Sequence, residues 1–195
     1  ALTSGSVSLA AEQSVPGDIL YPVKVNVTEE IRSLVAASPA EKADWEITRV
    51  ERRLQETGQL IQEGKIDNDR QQQINGLIEK HSQEAIALTN DLEIKGQIAA
   101  AYNLEAKLAD TLVSKVQGLS TQVLPKSANN EKIQTSKIKE SEINFLTNVV
   151  QTSSQVIAVK EQTGSVLQSN PDLSGGIITG SVVYPVTASD TENTQ

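Results

Sequence analysis

The chain has 195 residues, with 25 acidic against 17 basic side chains, a formal net charge of −8, one His and neither Cys nor Met. That balance repels phosphate backbones and no Lys or Arg run is dense enough to reverse it, which excludes nucleic acid as a partner class. The missing Cys removes disulfides, thiolate metal sites and thiol nucleophiles together, and an aromatic content of 3% leaves Leu, Ile, Val and Ala to build a core, which suits helix-on-helix packing better than a large ligand pocket.

Residues 1–24 read as a leader. Ala1 to Ala11 is small, mildly apolar and closed by an Ala pair, like the exit of a signal or membrane segment. With no initiator Met, this gives the expectation of an extracytoplasmic domain, at the cell surface, periplasmic-type or secreted. Its contact with membrane would run only through an anchor upstream of the chain. The leader ends in Ser14-Val15-Pro16-Gly17-Asp18-Ile19-Leu20-Tyr21-Pro22-Val23-Lys24. Here Pro16-Gly17-Asp18 predicts a turn and Tyr21-Pro22 an extended residue before the ring.

Residues 25–124 read as a helical domain. Glu29 and Glu30 suit a first turn, and Val27, Ile31, Leu34 and Val35 mark the apolar face of a short helix ending before Pro39. Ser38, Pro39 and Glu41 then make a capping box with Pro at the first helical position. Ala43, Ile47, Val50, Leu54, Thr57 and Ile61 step by fours and threes toward Gly64, while Arg49, Glu51, Arg52, Arg53 and Glu56 fall between them on faces expected to be solvated. Ile66 and Asp67 predict the staple and cap of a third helix. It carries Ile74, Leu77, Ile78, His81, Ala85, Leu88 and Leu92, and Gly96 separates it from a fourth with Ile98, Tyr102, Leu108, Leu112, Val116 and Leu119. Such short connections predict an antiparallel hairpin or bundle of long amphipathic helices.

Residues 125–170 predict one more helix, weakly patterned, with Ile133, Ile138, Ile143, Leu146, Val149, Val150, Val156 and Val159 available to line a face. In residues 171–195, Gly175, Gly176 and Gly180 surround Ile177, Ile178, Val182 and Val183, which predicts a short β-prone segment before an acidic end. Gly180 to Val186, with Tyr184-Pro185, echoes Gly17 to Val23. Chance competes with a sharper reading in which the β-prone ends pair with each other or with another subunit.

Catalytic chemistry is not marked. His81 is the only possible hub for a triad or a histidine metal site, and Glu84 three residues on gives a His-x-x-Glu pair, but two ligands are too few for a metal site. Asp67-Asn68-Asp69 resembles half a calcium loop but lacks its Gly and its final Glu. No phosphate loop or nucleophile elbow is present. The expectation is therefore no catalytic residue, no cofactor and no metal. Trp45 is expected to pack on Tyr21, Leu20 and the short first helix; the alternative is an exposed anchor for a partner. Asn26-Val27-Thr28 has the form of a glycosylation acceptor but is read as accidental.

At Pro16, Gly17, Asp18, Leu20, Tyr21, Pro22 and Lys24 the chain resembles a bacterial family of unknown function that carries a Pro-Gly-Asp-x-Leu-Tyr-Pro-x-Lys motif beside an N-terminal membrane segment. The likeness continues through Ser38 to Ala43 and Glu51 to Leu54, then loosely to about Leu119. It implies an envelope-associated helical domain and brings no activity, cofactor or catalytic residue.

The leading expectation is a non-enzymatic structural or interaction module of the cell surface. Its partner is a protein or a second copy, and in one version it self-assembles through its terminal segments. Leu20, Tyr21, Trp45, Ile177, Ile178, Val182, Val183 and Tyr184 are the candidate packing or interaction residues. The alternatives are a periplasmic-type helical sensor or chaperone that binds metal or unfolded protein, and a wall-cleaving hydrolase built on paired carboxylates.

Overall fold

The computed structural model describes residues 10–123 and 140–174, which are mainly helical with no strand among them. Turns through residues 13–20 lead into a continuous helical stretch composed of α1 (Tyr21–Val23), a π-helical turn (Lys24–Thr28) and α2 (Glu29–Val35). Four long helices follow: α3 (Pro39–Gln62), α4 (Asn68–Ile94), α5 (Ile98–Val123) and α6 (Glu140–Ser169), with a 3-10 turn at Pro171–Ser174.

Local chemistry sets the helix ends. The Glu41 backbone N–H donates to Ser38 Oγ while the Ser38 N–H donates to the Glu41 carboxylate, so both halves of the capping box are made and Pro39 opens α3. Gly64, at φ +65°, lets the chain reverse after α3, with its N–H and that of Lys65 donating to the carbonyls of Ile61 and Leu60. Asp67 caps α4 by accepting the Arg70 N–H, and Ile66 before it is buried.

With so short a connection α4 folds back along α3, bringing Glu46 against His81. The pairs Asp44–Lys107 and Glu51–Lys115 show that α3 and α5 run in the same direction. α6 packs on both α4 and α5, with Thr163 bonded to Glu93 and Gly164 against the Tyr102 ring. The core between the four helices is aliphatic apart from one ring: Ile47, Val50, Leu54, Ile74, Ile78, Leu108, Leu112, Phe145, Val149 and Val156 are all buried. Burial of this kind contributes about 1.5–3 kcal/mol per large side chain before entropy is counted.

Four expectations are corrected. Residues 16–24 form turns and helix, so the N-terminal segment is not a strand. Tyr21 is helical despite the following Pro22, because Pro is tolerated in a first turn and the Tyr21 side chain is anchored from below. The apolar face of α2 points outward, with Leu34 84% and Val35 78% exposed, while Glu29 on the opposite side is fully buried. The π-turn adds one residue to the helical repeat and moves Glu29 into register with Tyr21 and Lys24 on the buried side. On α6, Val149 and Val156 of the expected face are buried, but Ile143 and Val150 are exposed, and the helix meets its neighbours through Phe145 and Leu167 as well. Ile133 and Ile138 lie outside the described residues.

Candidate functional site

Along α3, Glu46, Arg49, Arg53 and Glu56 recur at steps of three, four and three. This stripe lies immediately beside the apolar one and has the same period. Far from being solvated, all four residues are buried: the segment from Ser14 to Val35 meets Arg49, Arg53 and Glu56, and His81 of α4 meets Glu46. Buried charge requires partners, and the segment supplies them. Lys24 and Glu29 join the four α3 side chains, giving three cations and three carboxylates in one seam.

Arg53 is its centre. Its Nη2 contacts Glu29 Oε1 and reaches Glu56 Oε1 at 3.1 Å, and its Nη1 donates to Tyr21 Oη at 3.0 Å. The Tyr21 hydroxyl donates onward to Glu56 Oε2 at 2.8 Å. Burial, and then the Glu56 carboxylate, push the Tyr21 hydroxyl far above its ordinary range, so it remains a donor. Lys24 Nζ pairs with Glu56 Oε1 at 2.7 Å and donates to the Ser14 carbonyl at 3.0 Å. Arg49 donates to the Glu29 carbonyl at 2.7 Å and pairs with Glu30 and Glu46.

The motif residues thereby acquire separate tasks. Pro16 offers its carbonyl to Arg70 Nε at 2.9 Å, and Asp18 Oδ2 accepts the Val15 N–H at 2.9 Å. Gly17 sits at φ +97° with the Arg70 guanidinium 2.6 Å from where a Cβ would stand; the backbone conformation disfavours any side chain, and one placed here would push Arg70 aside. Tyr21 and Lys24 enter the charged seam, while Ile19, the first open position of the motif, is 95% exposed.

Of the sequence-predicted residues, the structure brings Tyr21 into the seam and leaves Leu20 half-buried at the start of α1. Trp45 meets the short helix through Arg32, and its half-buried ring has Arg32, Arg49 and Arg52 at 5.7, 5.5 and 5.3 Å from its centroid. The cations flanking the Tyr21 ring are instead Lys24 and Arg53. Ile177, Ile178, Val182, Val183 and Tyr184 lie outside the described residues.

At its far end the seam reaches His81. Nδ1 of this buried ring is 2.7 Å from Glu46 Oε2 and 3.4 Å from Glu84 Oε2, so the expected His-x-x-Glu pair gains a third member, and a second carboxylate, from the facing helix. Burial raises the Glu46 carboxyl, but the His81 bond and the Arg49 charge outweigh it and hold it below the usual range. Sequence reasoning missed Glu46 because its partner is 35 positions away. The legible signal was the three-four-three stripe.

A second polar seam lies between α4, α5 and α6. Glu105 is buried there, 1% exposed, beside Glu93 of α4 and the hydroxyls of Thr89 and Thr163. Thr163 already donates to Glu93 Oε1 and Thr89 to the Ile86 carbonyl, both at 2.9 Å. Burial raises the Glu105 carboxyl above its ordinary range, the hydroxyls offset this only in part, and Glu93 adds to it.

No described helix is long and apolar enough to cross a membrane. No curated protein and no solved structure matches the chain. Residues 13–162 match the family described as Domain of unknown function (DUF5667), a span that begins at the motif and takes in the seam and most of α6, beyond the point near Leu119 where the sequence likeness faded. Covering well over half of the sequence, this match shows that the chain belongs to the DUF5667 family.

Proposed function

We propose that the chain is a non-enzymatic interaction module of the cell envelope, carried outside a membrane by an upstream anchor and presenting its N-terminal helical segment to a protein, whether a second copy or another chain. One observation carries the reading: Ile19, Val27, Ile31, Leu34 and Val35 are all exposed on the same short segment. Single exposed aliphatic residues are ordinary, but five along one stretch of 17 residues suit a contact surface. The seam beneath supports this reading, since ion pairs to α3 hold the segment in one position and reduce the ordering cost of binding. The lack of Cys is compatible with such a placement. Pairing of strands from the two chain ends is not retained, because residues 21–23 are helical.

A photo-crosslinking residue placed at Leu34 in cells producing the protein tests this. A protein adduct is expected from position 34 and not from the same residue at Gln83, which is exposed on α4. Equal labelling from both positions, or no protein adduct from position 34, would overturn the reading.

A further inference from the structure

The geometry points to a divalent transition-metal site of the zinc class between α3 and α4, with Glu46, His81 and Glu84 as its protein ligands. One atom from each lies within 4.8 Å of the others. The 3.4 Å separation of His81 Nδ1 from Glu84 Oε2 is that of neighbouring ligands around a tetrahedral ion with bonds of about 2.0–2.2 Å, whereas the 2.7 Å to Glu46 Oε2 is a hydrogen bond that must lengthen by about half an ångström as an ion replaces its proton. Imidazole with carboxylates is a donor set for borderline cations, and a His and Glu three apart facing a Glu of another helix is how helical bundles place such ions.

Three observations separate this cluster from an ordinary buried hydrogen bond. The His81 side chain is almost completely buried with Nδ1 aimed at both carboxylates, and its Nε2 has no hydrogen-bond partner. Glu46 is not required to neutralise Arg49, which also pairs with Glu30 at 3.1 Å and donates to the Glu29 carbonyl. Glu84, 44% exposed, comes nearer to His81 than to Lys80, its other charged neighbour, which is 3.9 Å away. Arg49 contacts Glu46 Oε1 and leaves Oε2 to the site, acting as an outer-shell group that orients the carboxylate. The half-exposed Glu84 edge gives solvent an approach, so water completes the coordination. An ion held there would clamp α4 to the helix that carries the charged seam, independently of what the α2 surface binds.

The test is titration of the metal-stripped full chain with zinc chloride by calorimetry, repeated with cobalt(II), whose visible absorption reports an imidazole ligand. One ion per chain is expected, with a higher Tm in its presence. Because Glu84 is half-exposed, Glu84→Gln should fold normally yet bind zinc ~100-fold or more weakly, beyond the roughly tenfold to hundredfold loss typical of an outer-shell change. Glu79→Gln, an exposed change on the same helix, should bind as wild type. Absence of saturable one-to-one binding in wild type, or equal affinity in wild type and Glu84→Gln, would overturn the proposal.

Discussion

The two polar seams of this bundle solve the problem of buried charge in opposite ways. Beneath residues 14–35, Glu29, Glu46 and Glu56 each face a cation or an imidazole. Beneath α6, Glu105 faces hydroxyls and a second carboxylate, and no cation is among the groups that act on it most strongly. The first arrangement fastens a short segment that cannot bury an apolar face, because that face is turned outward. The second sits where Phe145, Val149 and Val156 already fasten a 30-residue helix. Charge pairing is concentrated where hydrophobic burial is least.

The comparison breaks first at Arg53. Replacing it with Met leaves Glu29 and Glu56 buried with reduced pairing, and removal of one member of a buried pair costs about 3–5 kcal/mol. Urea unfolding at neutral pH should show that loss, and Arg53→Lys should restore only part of it, since one ammonium cannot span Tyr21, Glu29 and Glu56 as the guanidinium fork does. A loss below about 1 kcal/mol would mean that the seam behaves like a surface ion pair.

Gly17→Ala tests the same seam from its edge. The left-handed backbone costs a residue with a Cβ about 1–2 kcal/mol, and the new Cβ displaces the Arg70 side chain that ties α4 to the Pro16 carbonyl. Tm should fall by several degrees, and backbone amides of residues 14–24 should exchange faster while those of α5 do not. Uniformly faster exchange would show that the segment does not open separately. A smaller effect on stability is expected at the α2 surface: Leu34→Asp should change unfolding free energy by no more than ~0.5 kcal/mol, because the side chain is already in water, and a larger loss would place Leu34 in the fold's own packing.

The helices were legible in the sequence because their ends are local chemistry: Ser38 with Glu41, Gly64 and Asp67 each act within four residues. The aliphatic core was legible for the same reason, since a 3.6-residue period places Ile47, Val50 and Leu54 on one face. The seam was not. A fully buried Arg53 and a half-buried Arg52 are alike in type and adjacent in position, and what sets each one's burial is its partner in a segment some 20 to 40 residues earlier, Tyr21 and Glu29 for Arg53 and Glu12 for Arg52. The inversion of α2 follows from the π-turn, a one-residue shift that no periodicity argument allows for. Of the candidate metal ligands, the His81–Glu84 half was visible as a helical pair, whereas Glu46 became a third only once α4 had folded back.

The seams also differ in sign with pH. Glu46 is held below its ordinary range, so its contribution is present above the unfolded pKa and is lost as pH falls through the folded one. Glu105 is raised, so the folded state binds its proton more tightly, and stability is lost as pH climbs from the unfolded value through the folded one. Glu105→Gln removes that ionisation while keeping a neutral polar group of the same shape beside Glu93, Thr89 and Thr163. Between pH 5 and 8 the variant should therefore lose less stability than wild type, and the gap should widen toward the alkaline side. Parallel curves would mean that Glu105 is ionised already at the acidic end and that the hydroxyls of Thr89 and Thr163 satisfy a carboxylate, which would make the two seams alike after all.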